Sequence, residues 1–469
     1  MFKFDNSFAR EMAGFYQPAT PQPVPAPRLL RLNHELAAEL GLGEMPESDL
    51  AAMFAGNSAI PGAEPLAQAY AGHQFGGFSP SLGDGRALLL GEVIDSQGQR
   101  RDIAFKGSGR TPYSRGGDGK AAVGPMLREY LIGEAMHGLG IPTTRALAVV
   151  ATGELVYRDQ ALPGAVLTRV AASHLRIGTM QFFAARDELD KLRQIADYAI
   201  ARHDPQLAGD YLGWLKAVAE RQARLIAQWM SVGFIHGVMN TDNAALSGES
   251  IDFGPCAFME AYDPATVYSS IDKNGRYAYR SQPLAIQWNL ARLAEAILPL
   301  MGEEAFDDAR AVIEQFASLY KHHWLARMRA KLGLEGEQDG DLQLVEDWLA
   351  LLQTANADFT LSFRGLADVV EGSASPLHAL EGFAAWSSRW NARRSASAEA
   401  MRRINPLYIA RNHLVEAALT AAWQNDDMAP FERLLTVLKK PFEEHAGFED
   451  LARPAPAGFS EGYRTFCGT

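Results

Sequence analysis

In the stretch HGVMNTDNAALSGESIDFG, residues 236–254, a few side chains have the types and spacing to handle a metal–phosphate complex. Asn243 offers a side-chain carbonyl, and Asp252, nine positions on, offers a carboxylate. Together with phosphate oxygens they make the hard oxygen set that Mg²⁺ prefers. His236 lies seven residues before Asn243, and Asp242 is the only carboxylate between them. A general base must reach the hydroxyl it deprotonates, and within this loop Asp242 is the one acid available. The bland reading is that Asp242 caps a turn and Asn243 sits in one.

The order His…Asn…Asp-Phe-Gly is that of a protein-kinase catalytic loop, with one departure. Two residues after the histidine, where the kinase base belongs, stands Val238, which cannot accept a proton. If ATP lay reversed, with its α-phosphate by the metal, Asp242 could serve in its place.

Elements upstream must position the phosphates. Alternation and flanking turns predict a hairpin from strands 86–94 and 101–107. Lys106 falls near the end of its second strand. A helix is predicted over 125–140, with Pro125 in its first turn and Leu127, Leu131 and Ala135 four apart. Glu129 on that helix is the expected partner of Lys106, whereas Glu134 lies about 140° further round. Two more strands, TRALAVVATG and GAVLTRVA, follow. Strand, strand, helix, strand, strand is the small lobe of a kinase-like fold. Beyond residue 185 the chain reads as helical, with apolar stripes over 211–234 and 282–301.

Two glycine-rich segments flank Lys106. SLGDGRA (81–87) stands where a phosphate-covering loop belongs, with Gly83, Gly85 and Arg86. The segment 107–120 holds five glycines together with Arg110, Arg115, Asp118, Gly119 and Lys120. Arg169 and Arg176 flank the expected hinge. These cations are expected to converge on one nucleotide, although any single arginine could equally be a solvated ion pair. Residues 17–28, rich in proline, are expected to form an extended arm over another part of the protein.

The bulk composition excludes several classes. The formal net charge of −12 disfavours broad binding to nucleic acid or anionic membranes. No apolar run reaches membrane-spanning length, and the N-terminus lacks a secretory core, so a cytosolic protein is expected. The two cysteines, Cys256 and Cys467, form no zinc-binding pattern.

Four stretches together resemble the selenoprotein O (SelO, YdiU) family: YAGHQFGGFSPSLGDGRALLLGEV, DIAFKGSGRTPYSRGGDGKAAVGPMLREYLIGEAMHGLGIPTTRAL, HGVMNTDNAALSGESIDFGP and NPLYIARNHLVEAAL. The resemblance implies an α+β, protein-kinase-like two-lobed fold once classed as a pseudokinase. It would comprise an extension (1–75), a small lobe (76–170), a helical lobe (171–350) and a C-terminal helical region with a cysteine-bearing tail (351–469). It implies AMP transfer from ATP, or UMP from UTP in some members, to Ser, Thr or Tyr hydroxyls of proteins, with pyrophosphate released. By matching motif, Gly83, Gly85, Arg86, Lys106, Asp118, Gly119, Arg169, Arg176 and Asp252 would hold the nucleotide. Asn243 and Asp252 would bind Mg²⁺ or Mn²⁺, Asp242 would be the base, and Glu129 would pair with Lys106. In some members a tail cysteine closes a disulfide to the activation segment; here Cys467 lies in the tail and Cys256 directly follows Asp-Phe-Gly-Pro. The expected partners are protein substrates and nucleotide, with neither nucleic acid nor membrane, and the expected state is a monomer. The rival readings are a phosphotransferase with a shifted base and a catalytically silent nucleotide-binding scaffold.

Overall fold

The computed structural model describes residues 2–466. An antiparallel sheet and a set of packed helices build it, so the class is α+β. Strands β1 (Tyr16–Pro18), β2 (Arg28–Leu32) and β3 (Leu66–Gln68) precede a small separate hairpin, β4 (Gly72–Gln74) and β5 (Gly77–Ser79). The predicted hairpin is β6 (Ala87–Ile94) and β7 (Arg100–Lys106). The two-residue β8 (Ala121–Ala122) ends the glycine segment, and β9 (Arg145–Tyr157) and β10 (Ala161–Ala171) complete the set. The sheet runs β1-β3-β6-β7-β10-β9-β2, with β8 on β10.

Side chains alternate across this sheet, and both faces are buried. In β10, Ala165 and Leu167 join the core that includes Leu127 and Leu131 of the helix Val123–Gly138. Their neighbours Val166 and Val170 face the opposite core with Leu88, Leu90, Val150 and Phe54 of the helix Glu47–Ala55. The proline-rich arm lies over the second side: Gln22 N donates to Ser108 O at 2.8 Å, and Val24 N to Asn57 Oδ1 at 2.8 Å. Three strands of the sheet therefore come from residues 16–68, where the sequence showed no strand pattern. β1 and β3 span three residues each, too few to display alternation.

The helices Tyr211–Val232, Gln282–Met301 and Phe306–Lys331 pack on one another. Leu215, Val218, Leu225, Ile226 and Trp229 are buried along the first, each contributing about 1.5–3 kcal/mol of apolar burial. Gln222, the polar member of that stripe, is buried because its Nε2 donates to Ala245 O at 2.7 Å. Two short strands, β11 (Phe234–Ile235) and β12 (Ala257–Phe258), pair and frame the loop between them. Among the described residues no helix is long and apolar enough to cross a membrane.

Candidate active site

The framed loop is fixed from beneath. His236 N donates to Gln282 Oε1 at 3.0 Å, and the His236 ring stacks on Trp229 and bonds Ile251 O through Nε2 at 2.8 Å. Asn289 Nδ2 holds Met239 O at 3.0 Å. Val238 is a buried apolar side chain, and its carbonyl accepts from Asn243 Nδ2 at 3.0 Å. That bond occupies the Asn243 nitrogen, while its carbonyl oxygen accepts no bond from the described residues.

Asp252 has φ +63°, the left-handed region that non-glycine residues seldom occupy. The turn aims its carboxylate at three cations. Oδ1 accepts from Lys106 Nζ at 2.5 Å and Arg169 Nη1 at 2.6 Å, and Oδ2 lies 3.6 Å from Arg176 Nη1. Glu129 adds a second carboxylate, taking Lys106 at 2.6 Å and Arg169 at 3.2 Å. Glu134 instead pairs with Arg145. Burial alone would raise the Asp252 carboxyl, but Lys106, Arg169 and Arg176 hold it well below the usual carboxylate range. Three cations thus pair with these two carboxylates, and the buried Asp84 and Asp242 carboxyls lie close enough to interact with Arg176 as well.

A narrow cleft opens on this cluster, lined by Arg86, Lys106, Glu129, Phe253, Gly254 and Phe466. Arg86 Nη1 is buried there without a partner. An unpaired guanidinium nitrogen in the same cleft as Lys106 suits an anion with several oxygens. The C-terminal residues reach the same cleft: Thr465 N bonds Tyr268 O at 2.8 Å, and its hydroxyl bonds Pro255 O at 2.7 Å. Cys256 is buried, and burial pushes its thiol up to about 12. Cys467 lies outside the described residues.

The remaining expected nucleotide contacts are placed differently. Gly83 and Gly85 make room for Tyr113, whose ring would lie 2.2 Å from a Cβ on Gly83 and whose carbonyl would lie 2.9 Å from one on Gly85. Asp118 pairs with Arg158 at 2.8 Å, and Gly119 packs against the Gly109 carbonyl. Neither Asp118 nor Gly119 touches the Lys106 cluster. Arg110 and Arg115 are exposed and Lys120 pairs with Glu154, so the basic residues of segment 107–120 do not converge on Lys106.

Asp242 is buried beside the cluster, and burial pushes its carboxyl up to about 6. Arg176 Nη1 bonds its backbone carbonyl at 3.2 Å. The Arg176 guanidinium also lies 4.4 Å above the Tyr70 ring.

Sequence reasoning missed a second layer. Arg169 Nε donates to His174 Nε2 at 3.2 Å, and His174 Nδ1 meets Asp102 at 2.9 Å. Nδ1 therefore carries the proton, and burial lowers the imidazole's basicity so that it stays a neutral acceptor for Arg169. Arg202 bonds the other Asp102 oxygen at 2.6 Å. Burial would raise Asp102, but Arg202 and His174 bring it down to about 2. The only sequence signal was a histidine between two arginines at a strand end.

The family model described as protein adenylyltransferase SelO matches residues 1–439. A protein nucleotidyltransferase YdiU of Cereibacter sphaeroides is 62% identical over 482 residues, spanning all of both chains. One of Chromobacterium violaceum is 59% identical over 474 residues, covering 97% of this chain and 99% of its own. One of Rhizobium leguminosarum bv. trifolii is 56% identical over 488 residues, covering all of this chain and 97% of its own. With such similarity along its length, the chain belongs to the SelO family of protein adenylyltransferases.

Proposed function

We propose that this enzyme transfers AMP from ATP to Ser, Thr or Tyr hydroxyls of proteins, and that UTP can replace ATP as a UMP donor. The carrying observation is the buried cluster in which Lys106, Arg169 and Arg176 gather on Glu129 and Asp252, next to a loop that holds Asp242. The acceptor oxygen attacks the α-phosphorus while Asp242 takes its proton. The bond from the α-phosphorus to the bridging oxygen breaks, and pyrophosphate leaves. Lys106, Arg86, Arg169 and Arg176 neutralise charge on the transferring and leaving phosphates. Gly83, Gly85, Asp118 and Gly119 would frame the rest of the nucleotide.

The donor set suits a hard divalent cation. Asn243 keeps its carbonyl oxygen free, and Asp252 is held ionised. Among the described residues no group of three His, Cys, Asp or Glu side chains gathers to hold a metal ion, so substrate phosphates would complete the shell. Mg²⁺ or Mn²⁺ bound there would polarise the phosphate oxygens.

In this reading the sheet corresponds to the small lobe of a kinase-like, two-lobed protein and the packed helices to the large one. Residues 1–75 and 351–469 extend it, and the protein works as a cytoplasmic monomer. The test is a pair of incubations with ATP labelled at the α- or the γ-phosphorus and casein as a hydroxyl-bearing acceptor. Label from the α-position on protein is expected. Label from the γ-position alone makes the enzyme a phosphotransferase, and the reading falls.

A further inference from the structure

The hairpin β4–β5 has no role in the reaction as described above, yet it reaches the side chain of the candidate base. Its first strand runs along the loop. His73 N donates to Thr241 Oγ1 at 2.7 Å, and Phe75 N donates to Asn240 Oδ1 at 3.0 Å. Gln181 clamps the same junction, accepting from the Thr241 hydroxyl at 2.6 Å and bonding His73 Nδ1 at 2.8 Å. Two hairpin residues then reach the Asp242 carboxylate itself. Gln74 Nε2 donates to Oδ2 at 3.3 Å. On the other side stands Gly72, where an added Cβ would lie 2.5 Å from Oδ1. Oδ1 is buried with no hydrogen-bond partner, while Gln74 is exposed.

The two oxygens of this carboxylate are therefore not equivalent. Oδ1 is walled in by the Gly72 backbone. Oδ2 points toward the open side, where Gln74 sits. We infer that Gln74 and Gly72 are positioning residues that fix the rotation of the Asp242 carboxylate, so that Oδ2 alone receives the proton of the acceptor hydroxyl. In the step, the acceptor O–H proton passes to Oδ2, the acceptor oxygen bonds the α-phosphorus, and the electron pair of the broken phosphoanhydride leaves with pyrophosphate. A carboxylate free to rotate about its Cβ–Cγ bond would spend only part of its time aimed at the acceptor, and a small misplacement of a catalytic group costs rate steeply. Gln74 donates to the ionised form, steadying it without supplying a charge of its own. Gly72 is required because any side chain there displaces Oδ1.

The inference rests on Asp242 being the base, and the experiment separates the two claims. Transfer from α-labelled ATP to casein is measured for Gln74→Met, Gly72→Ala, Asp242→Asn and the double variant Gln74→Met/Asp242→Asn, with kcat and the KM for ATP determined separately. Gln74→Met keeps the length of the side chain and removes the donor. Its kcat is expected to fall about tenfold with KM for ATP unchanged, since each hydrogen bond to a charged group is worth about that much. Gly72→Ala is expected to fall further, and Gln74→Met is expected to have no effect once Asp242→Asn is present. If Asp242→Asn itself transfers at the wild-type rate, the base assignment fails and takes this inference with it. If Asp242→Asn is impaired while Gln74→Met is not, the base stands and the positioning role is overturned. Equal losses from Gln74→Met in both backgrounds, or a loss confined to KM for ATP, would reduce Gln74 to a structural contact and likewise overturn it.

Discussion

Two buried arginine–carboxylate clusters in this molecule differ in what lies beside them. At the cleft, Lys106, Arg169 and Arg176 face Glu129 and Asp252, with the Asp84 and Asp242 carboxyls acting on Arg176 from beside them. In the helical region the fully buried Arg411 alone serves two carboxylates, Glu260 and Asp358. That second cluster is a clamp. Arg411 Nε also bonds Ala452 O at 3.1 Å, Phe359 N bonds Glu260 O at 2.8 Å, and Asp358 caps the helix Phe359–Val370 through Leu361 N at 2.7 Å. Burial raises the Glu260 carboxyl, which eases the negative surplus from within. At the cleft burial likewise raises the Asp84 and Asp242 carboxyls, against the pull of Arg176. Both clusters are buried, with five ion pairs at the cleft and two at the clamp. A cleft that opens on the cations marks the ligand site, and full burial of Arg411 marks the clamp.

The contrast breaks first at Asp252. Asp252→Ala is expected to lower transfer from α-labelled ATP by at least about a thousandfold, or roughly 4 kcal/mol. Metal dependence of nucleotide binding, followed by calorimetric titration with and without Mg²⁺, should vanish with it. Stability should fall as well, because Arg176 loses the carboxylate it faces while Glu129 continues to hold Lys106 and Arg169. Wild-type transfer by this variant would remove the metal assignment.

Arg411→Leu should do the reverse. It leaves Glu260 and Asp358 buried without a cation, a loss of about 3 kcal/mol in urea unfolding. Activity per folded molecule should be retained. A comparable loss of transfer in the folded variant would mean that the clamp and the cleft are energetically joined.

How much of this was legible before the fold follows the range of the contacts. Asn243, Asp242 and Asp252 sit in one short stretch, and Glu129 follows from helical spacing once Lys106 is placed on a strand. The three partners that orient Arg169, namely His174, Asp102 and Arg202, were silent. Asp102 and Arg202 are brought together across 100 residues of chain by the packing of a strand on a helix. Gln74 meets Asp242 across 168 residues, from a hairpin of three-residue strands too short to show a period. The glycines at 83 and 85 read as a phosphate loop, yet the close neighbour they accommodate is Tyr113. A glycine in a sequence reports that something approaches closely, and only the fold says what.

Lys331 sharpens the comparison from a third side, as a buried cation with neither carboxylate nor cleft. It ends the helix Phe306–Lys331, its Nζ lies 4.3 Å from the Phe363 ring centre, and among the described residues no carboxylate pairs with it. Burial, with a smaller push from Arg327, lowers its pKa from 10.5 to about 7. The unfolded chain therefore holds a proton that the folded chain has shed throughout the window from about pH 7 to pH 10.5. Stability must rise with pH across that window, by up to about 1.4 kcal/mol per unit, and be flat in this respect below it. Urea unfolding at pH 7, 8 and 9 should show the rise in the wild type and lose it in Lys331→Met. Lys106, by contrast, is paired with Glu129 and Asp252. If Lys331→Met leaves the pH dependence intact, the proton responsible sits elsewhere and the third member of the comparison is removed.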